Sequence, residues 1–163
     1  STSRETRPGA SRITTMSKPI AFSHPDIAPE FPEFFRAYLE CALWSSTISD
    51  SDDIRDSDPF DRHFSIADFT PAALLRLQVV ALAFFQRSAV WIAGEPEPGC
   101  ECSRWSKAGH DFWLTQNGHG AGFWDGDWPV YGDTLTKLSE AAGELSLYVV
   151  PAAGDEPEQV GVE

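Results

Sequence analysis

Basic residues are scarce in this chain: 12 Lys and Arg stand against 25 Asp and Glu, a formal net charge of −13. Duplex nucleic acid is gripped through a basic patch that neutralises phosphates, and an anionic membrane surface attracts the same kind of patch. Direct binding to either is therefore disfavoured. Cysteine is scarce too, with three among 163 residues, too few for a disulfide scaffold at this size. Cys100 and Cys102 are separated by one residue and have no second pair, which lacks the spacing of common zinc knuckles. They are expected in a loop, with Cys41 a small buried hydrophobe in a helix, and a reducing cytoplasmic setting follows. Long apolar runs are also missing. The most apolar stretch, Ala72–Ile92, is broken by Arg76, Gln78, Gln86 and Arg87, leaving Val79–Phe85 as its longest run. A bilayer crossing needs ~20 apolar residues, so this segment reads as a central buried helix.

The single methionine is Met16. Residues 1–18 hold Arg4, Arg7, Arg12 and Lys18 against Glu5 alone. They carry no apolar run that would make a secretory signal. They are expected to be a disordered leader or tag, with Met16 as the natural start. Residues 19–152 are expected to form one domain, since 42% apolar and 12% aromatic content in a chain of this length supports a single core. Residues 153–163, acidic and holding Pro and Gly, are expected to be a flexible tail.

Within the domain, Phe31, Phe34, Phe35, Tyr38, Leu39, Ala42 and Leu43 form one helical stripe. With Pro32 in the first turn, it predicts a helix from Pro32 to Trp44 or Ser46. Ser45–Asp61 reads as a solvated acidic loop carrying Asp50, Asp52, Asp53, Asp56, Asp58 and Asp61. It is not a calcium loop: Ile54 and Arg55 occupy the fifth and sixth positions counted from Asp50, and the twelfth is Asp61 where Glu is required. Ser65–Phe69 is expected to be a short turn. Thr70-Pro71 then starts a second helix to Ala93, closed by Gly94. After a linker over Glu95–Ser106, the pattern suggests strands. His110–Gln116 and Ala121–Asp125 are expected to pair as a hairpin about Asn117-Gly118. A helix over Tyr131–Ala142 and a strand from Leu145 to Val150 follow. The expected fold is α+β in the order α-α-β-β-α-β, two N-terminal helices covering a small, mostly antiparallel sheet. Phe35, Leu39, Leu43, Leu82, Phe85, Phe112, Leu114, Leu147 and Val149 are its expected core.

The run Ala108–Asp125, AGHDFWLTQNGHGAGFWD, is distinctive. It resembles a family of small acidic proteins of bacteriophages and mobile elements, most of unknown function. Ala37–Ser46, Phe64–Asp68 and Gly132–Val149 resemble the same family, so the likeness covers most of residues 30–150. Gln116 and Gly126 stand where that family commonly has Arg. The resemblance implies a phage-type accessory protein in the host cytoplasm and brings no catalytic mechanism.

Two function classes follow from the residues. The first is a binding protein that docks on a host protein with a basic surface. Asp50, Asp52, Asp53, Asp56, Asp58 and Asp61 would provide steering charge. Trp113 and Trp124 would provide aromatic anchors. Its strongest form is a mimic of nucleic-acid charge, as in antirestriction or anti-CRISPR proteins. The second is a small enzyme in which His110, Asp111, His119 and Asp125 converge on the expected hairpin, giving a His–Asp general base. Two His and a carboxylate are also metal-ligand types, but no metal and no cofactor is expected. A structural domain without ligand is the third reading.

Overall fold

The computed structural model describes residues 28–163; the expected leader lies outside them. Helix α1 spans Phe31–Ser45 and buries Phe31, Phe34, Phe35, Tyr38, Leu39 and Leu43, the stripe its sequence spacing places on one face. Two short 3-10 turns follow, Phe60–Arg62 and Ile66–Asp68. The second is closed by a reciprocal pair in which the Ser65 N–H donates to the Asp68 carboxylate (2.8 Å). Helix α2 runs Pro71–Ala93, started by the Thr70 hydroxyl, which accepts from the Ala73 N–H at 3.0 Å. Among the described residues α2 alone is long and apolar enough to cross a membrane, yet it gives Leu77, Ala81, Phe84, Phe85 and Ile92 to the core. The same helix carries Arg76 and Arg87 at exposed positions.

The expected aromatic hairpin is instead a helix. Arg104–Gln116 forms α3, with the Ser103 hydroxyl capping it by accepting from the Ser106 N–H. The preceding linker is correspondingly shorter than expected. Asn117 ends the helix, and Gly118, at φ 71°, leaves it in the left-handed region. Asn-Gly serves a helix end as readily as a tight hairpin, because both need positive φ. Residues 119–131 then cross the surface without forming a strand, and Gly132–Ala141 forms α4.

Among the described residues, helices α1 and α3 make the most extensive pairing. At their contact Gly109 has no side chain to spare: a Cβ there would stand 2.0 Å from the Phe34 carbonyl oxygen. Phe112 of α3 stacks on Phe84 of α2 (centroids 3.9 Å apart, planes at 7°) and on Tyr38 of α1 (5.0 Å). One aromatic column thus joins three helices, and such ring pairs contribute ~0.5–1.5 kcal/mol beyond their burial. Helix α4 packs on α2 and α3 through Leu135 and Leu138.

The only sheet among the described residues has two antiparallel strands, β1 (Leu147–Val150) and β2 (Gln159–Val162), with Leu147 opposite Val162 and Val150 opposite Gln159. Strand β2 lies in what was expected to be a flexible tail. Val160 is fully buried, and its carbonyl accepts from the Thr70 N–H at the start of α2 (3.0 Å). Two strands alone are marginal in water; here the helical layer supports them. The fold is mixed α+β, but the four helices among the described residues all precede the sheet. Of the expected core, Leu82, Leu147 and Val149 are partly buried against it and the others are buried.

Candidate functional site

Of the four residues expected to converge, only His110 and Asp111, consecutive on α3, lie together. The His110 ring lies against Trp44 (centroids 5.6 Å apart). Asp111 is buried, where its carboxylate accepts from the Trp128 indole N–H (2.7 Å) and lies 3.5 Å from the Lys107 ammonium and 3.6 Å from His110 Nδ1. It pins the 119–131 segment to the helix. Desolvation pulls the Lys107 ammonium down, but Asp127 and Asp111 outweigh it, and its pKa stands above the ordinary value. Asp125 is exposed and accepts from the backbone N–H groups of Gly122 (3.3 Å) and Asp127 (3.2 Å). His119 sits past the end of α3, its N–H bonded to the Leu114 carbonyl (2.9 Å). Among the described residues, no three His, Cys, Asp or Glu side chains are grouped to hold a metal ion. A helix in place of a hairpin explains the dispersal, because residues 110–116 are helical and no strand brings His119 back beside His110.

The acidic loop is ordered. Ile48 is buried, its N–H donates to the Asp58 carbonyl (2.9 Å) and its carbonyl accepts from the Ser57 N–H (2.7 Å). Asp56 accepts from the Asp50 N–H (2.7 Å), Asp50 from the Asp52 N–H (3.0 Å) and Asp53 from the Arg55 N–H (2.8 Å). Asp58 pairs with Arg62 (3.2 Å) and His63 (2.8 Å). Asp50, Asp52, Asp56 and Asp61 are exposed. The Arg55 guanidinium spans Asp53 (2.7 Å) and Glu158 (2.9 Å), tying the loop to the residue before β2. Hydrogen bonds from the Arg55 side chain and N–H hold the Asp53 carboxyl down at about 2. Folding therefore uses several of these carboxylates.

Between the loop and β1 opens a cleft of about 830 Å³. The end of α1 (Ser45–Ile48), Asp50, Asp53 and Phe60 form one wall. Trp113, Asn117 and His119 come from α3 and its end, and Leu145–Val149, Glu158 and Glu163 from the hairpin. Four carboxylates line it and no Lys or Arg does. Asn117 fixes the junction, donating to the Trp113 carbonyl (3.0 Å) and accepting from the Leu145 N–H (2.8 Å).

Trp113, expected as a surface anchor, is only 1% exposed. It packs edge-on against Tyr38 and borders the cleft from inside. Its Nε1–H is one of two buried side-chain polar atoms among the described residues without a hydrogen-bond partner; the other is Ser88 Oγ. Trp124 is 51% exposed, as a contact residue requires. The hairpin reading hides the cleft grouping, because it places Trp113 in a strand and Asn117 in the turn that follows. Their four-residue spacing, which places them on one helix face, was the available signal.

Cys100 and Cys102 lie in the linker before α3, joined to each other as a disulfide. Burial pushes the Cys41 thiol up to about 12, which makes it a poor nucleophile. Compared with protein-family models, curated proteins and solved structures, the chain matches none.

Proposed function

We propose that this chain is a small acidic accessory protein that acts by binding a protein with a basic surface. The carrying observation is the acidic loop. Its carboxylates sit on a backbone fixed by Ile48, by Asp-to-backbone hydrogen bonds and by the Arg55 clamp. A preordered charged surface loses little conformational entropy on docking. With the whole chain at −13, it also accelerates encounter with a cationic partner. The resemblance to phage and mobile-element proteins makes a host cytoplasmic protein the expected partner, with Trp124 as an aromatic contact. In the strongest form of this reading, the acidic face stands in for the phosphates of a nucleic acid. A catalytic reading built on His110, Asp111, His119 and Asp125 has only the first two side by side, at 3.6 Å.

The test is affinity capture from a bacterial lysate with the wild-type chain and with an Asp50→Asn, Asp52→Asn, Asp56→Asn, Asp61→Asn variant, at low and high salt. A stoichiometric basic partner should be held by the wild type at low salt and lost by the variant. Release of that partner by duplex DNA would support charge mimicry. Equal retention by the variant at both salt levels would overturn electrostatic docking.

A further inference from the structure

We propose that Cys100 and Cys102 form a redox-active site that exchanges an electron pair with the thiols and disulfides of other molecules. The inference goes beyond the protein-binding reading and does not rest on it. It starts from how little the bridge between these cysteines does for the fold. They are two positions apart, and closing so short a loop removes little freedom from the unfolded chain. The linker does not need the bridge for its shape either. The Arg104 guanidinium, on the first residue of α3, donates to the carbonyls of Ile92 (3.3 Å), Ala93 (2.9 Å) and Glu95 (2.6 Å) and pairs with the Glu97 carboxylate. Glu95 is itself buried, its carboxylate accepting from the Val130 and Tyr131 N–H groups. At the far end the Ser103 hydroxyl caps α3 and donates to Glu33. These bonds hold the neck of the linker whether the bridge is open or closed.

The bridge is also placed where chemistry can reach it. Gly99, Cys100, Glu101 and Cys102 are all exposed, and a Cβ added at Gly99 would meet nothing within 4 Å. Reactive cysteines sit at accessible positions, whereas buried ones are inert. The remaining cysteine of the chain, Cys41, is buried, so no third thiol competes. An incoming thiolate attacks one bridge sulfur, forms a mixed disulfide with that cysteine and displaces the other as a thiolate. A second thiolate then attacks the sulfur of the first, releasing their disulfide and leaving both cysteines reduced. Two external thiols lose two electrons, the bridge gains them, and the protons of those thiols pass through solvent to the two cysteines. In the reverse direction a cysteine thiolate opens an external disulfide and its neighbour displaces the second half. That closing step is intramolecular. The two Cα atoms stand 5.3 Å apart, inside the span of about 4.4–6.8 Å that bridged pairs occupy, so the pinned linker keeps the second thiol within reach.

The full-length chain tests this as a catalyst of dithiothreitol oxidation by hydroxyethyl disulfide, a neutral pair whose uncatalysed rate is subtracted. The rate should rise in proportion to chain concentration. Per mole it should exceed that of a linear peptide spanning Pro98–Arg104, by about tenfold, because the fold positions the second thiol. Cys100→Ser and Cys102→Ser should each stall as a mixed disulfide, seen in the intact mass as an adduct of one half of the probe, while the wild type passes on to the closed bridge. Native alkylation of the reduced wild type should modify two cysteines and spare Cys41. Reduced and oxidised wild type should give the same circular dichroism and melt within about 2 °C of each other.

A rate no greater than that of the peptide would overturn the inference, as would a wild type that accumulates the mixed disulfide as the single variants do. A bridge that survives millimolar dithiothreitol until the chain unfolds, or a larger fall in Tm on reduction, would make it a structural staple and overturn the inference equally.

Discussion

Asp111 shows how a residue with catalytic chemistry serves the fold. Its carboxylate, buried on α3, is the acceptor for the Trp128 indole N–H. Asp111→Leu would strand that donor in the interior and should lower stability by about 1–3 kcal/mol. Asp125→Ala, at an exposed turn, should change it by less than about 0.5 kcal/mol. Urea denaturation of the two variants checks this; equal losses would show that Asp111 is not the anchor described. Gly109 is the counterpart among small residues. With the Phe34 carbonyl where its Cβ would be, Gly109→Ala must push two helices apart. Because the neighbour is backbone rather than a flexible side chain, the cost should reach about 3 kcal/mol or more, read as a fall in the denaturation midpoint.

At the scale of elements, legibility followed local punctuation and residue type. Helix α1 has a polar face, so its stripe named it, and α2 carried its own punctuation in Thr70-Pro71 and Gly94. Helix α3 buries Ala108, Gly109 and every residue from Asp111 to Gln116. Its polar residues still recur at helical spacing, but Phe112, Trp113 and Thr115 read as strand formers and Asn117-Gly118 as a hairpin turn. Strand β2 was hidden by composition, because Gln159–Val162 is too short and too near acidic residues to announce itself. The candidate residues failed with the hairpin that was to hold them, whereas the acidic loop survived because its boundaries depend on local turn chemistry. Removing residues 159–163 tests the strand. Loss of two buried valines alone should cost about 3–6 kcal/mol, and thermal unfolding unchanged by the truncation would mean the strand contributes nothing.

For the molecule as a whole, acid acts in two directions. Protonating an excess of carboxylates relieves general repulsion, while the Arg55 clamp loses its partner. Asp53 is held at about 2 in the folded chain, below the ordinary carboxylate value near ~3.9 that it regains on unfolding. Its contribution is therefore complete above that ordinary value and disappears as pH falls toward 2. Comparing wild type with Asp53→Asn cancels the general repulsion to first order. The gap in stability between them should be constant near neutrality and close progressively below about pH 4. A gap that stays open at pH 2 would show that Asp53 does not carry the clamp.

The pairing of α1 with α3 also sets a timetable. Phe34 and Gly109 lie about 75 residues apart in the chain, and translation proceeds at roughly 5–20 residues per second. For ~4–15 s, then, the nascent chain holds Phe31, Phe34, Phe35 and Tyr38 with no α3 to cover them. Helix α2 emerges in that interval and can shelter only part of the stripe, since Phe112 is the ring that locks Phe84 to Tyr38. The newborn protein thus shows its aromatic stripe to solvent until Phe112 and Trp113 leave the exit tunnel.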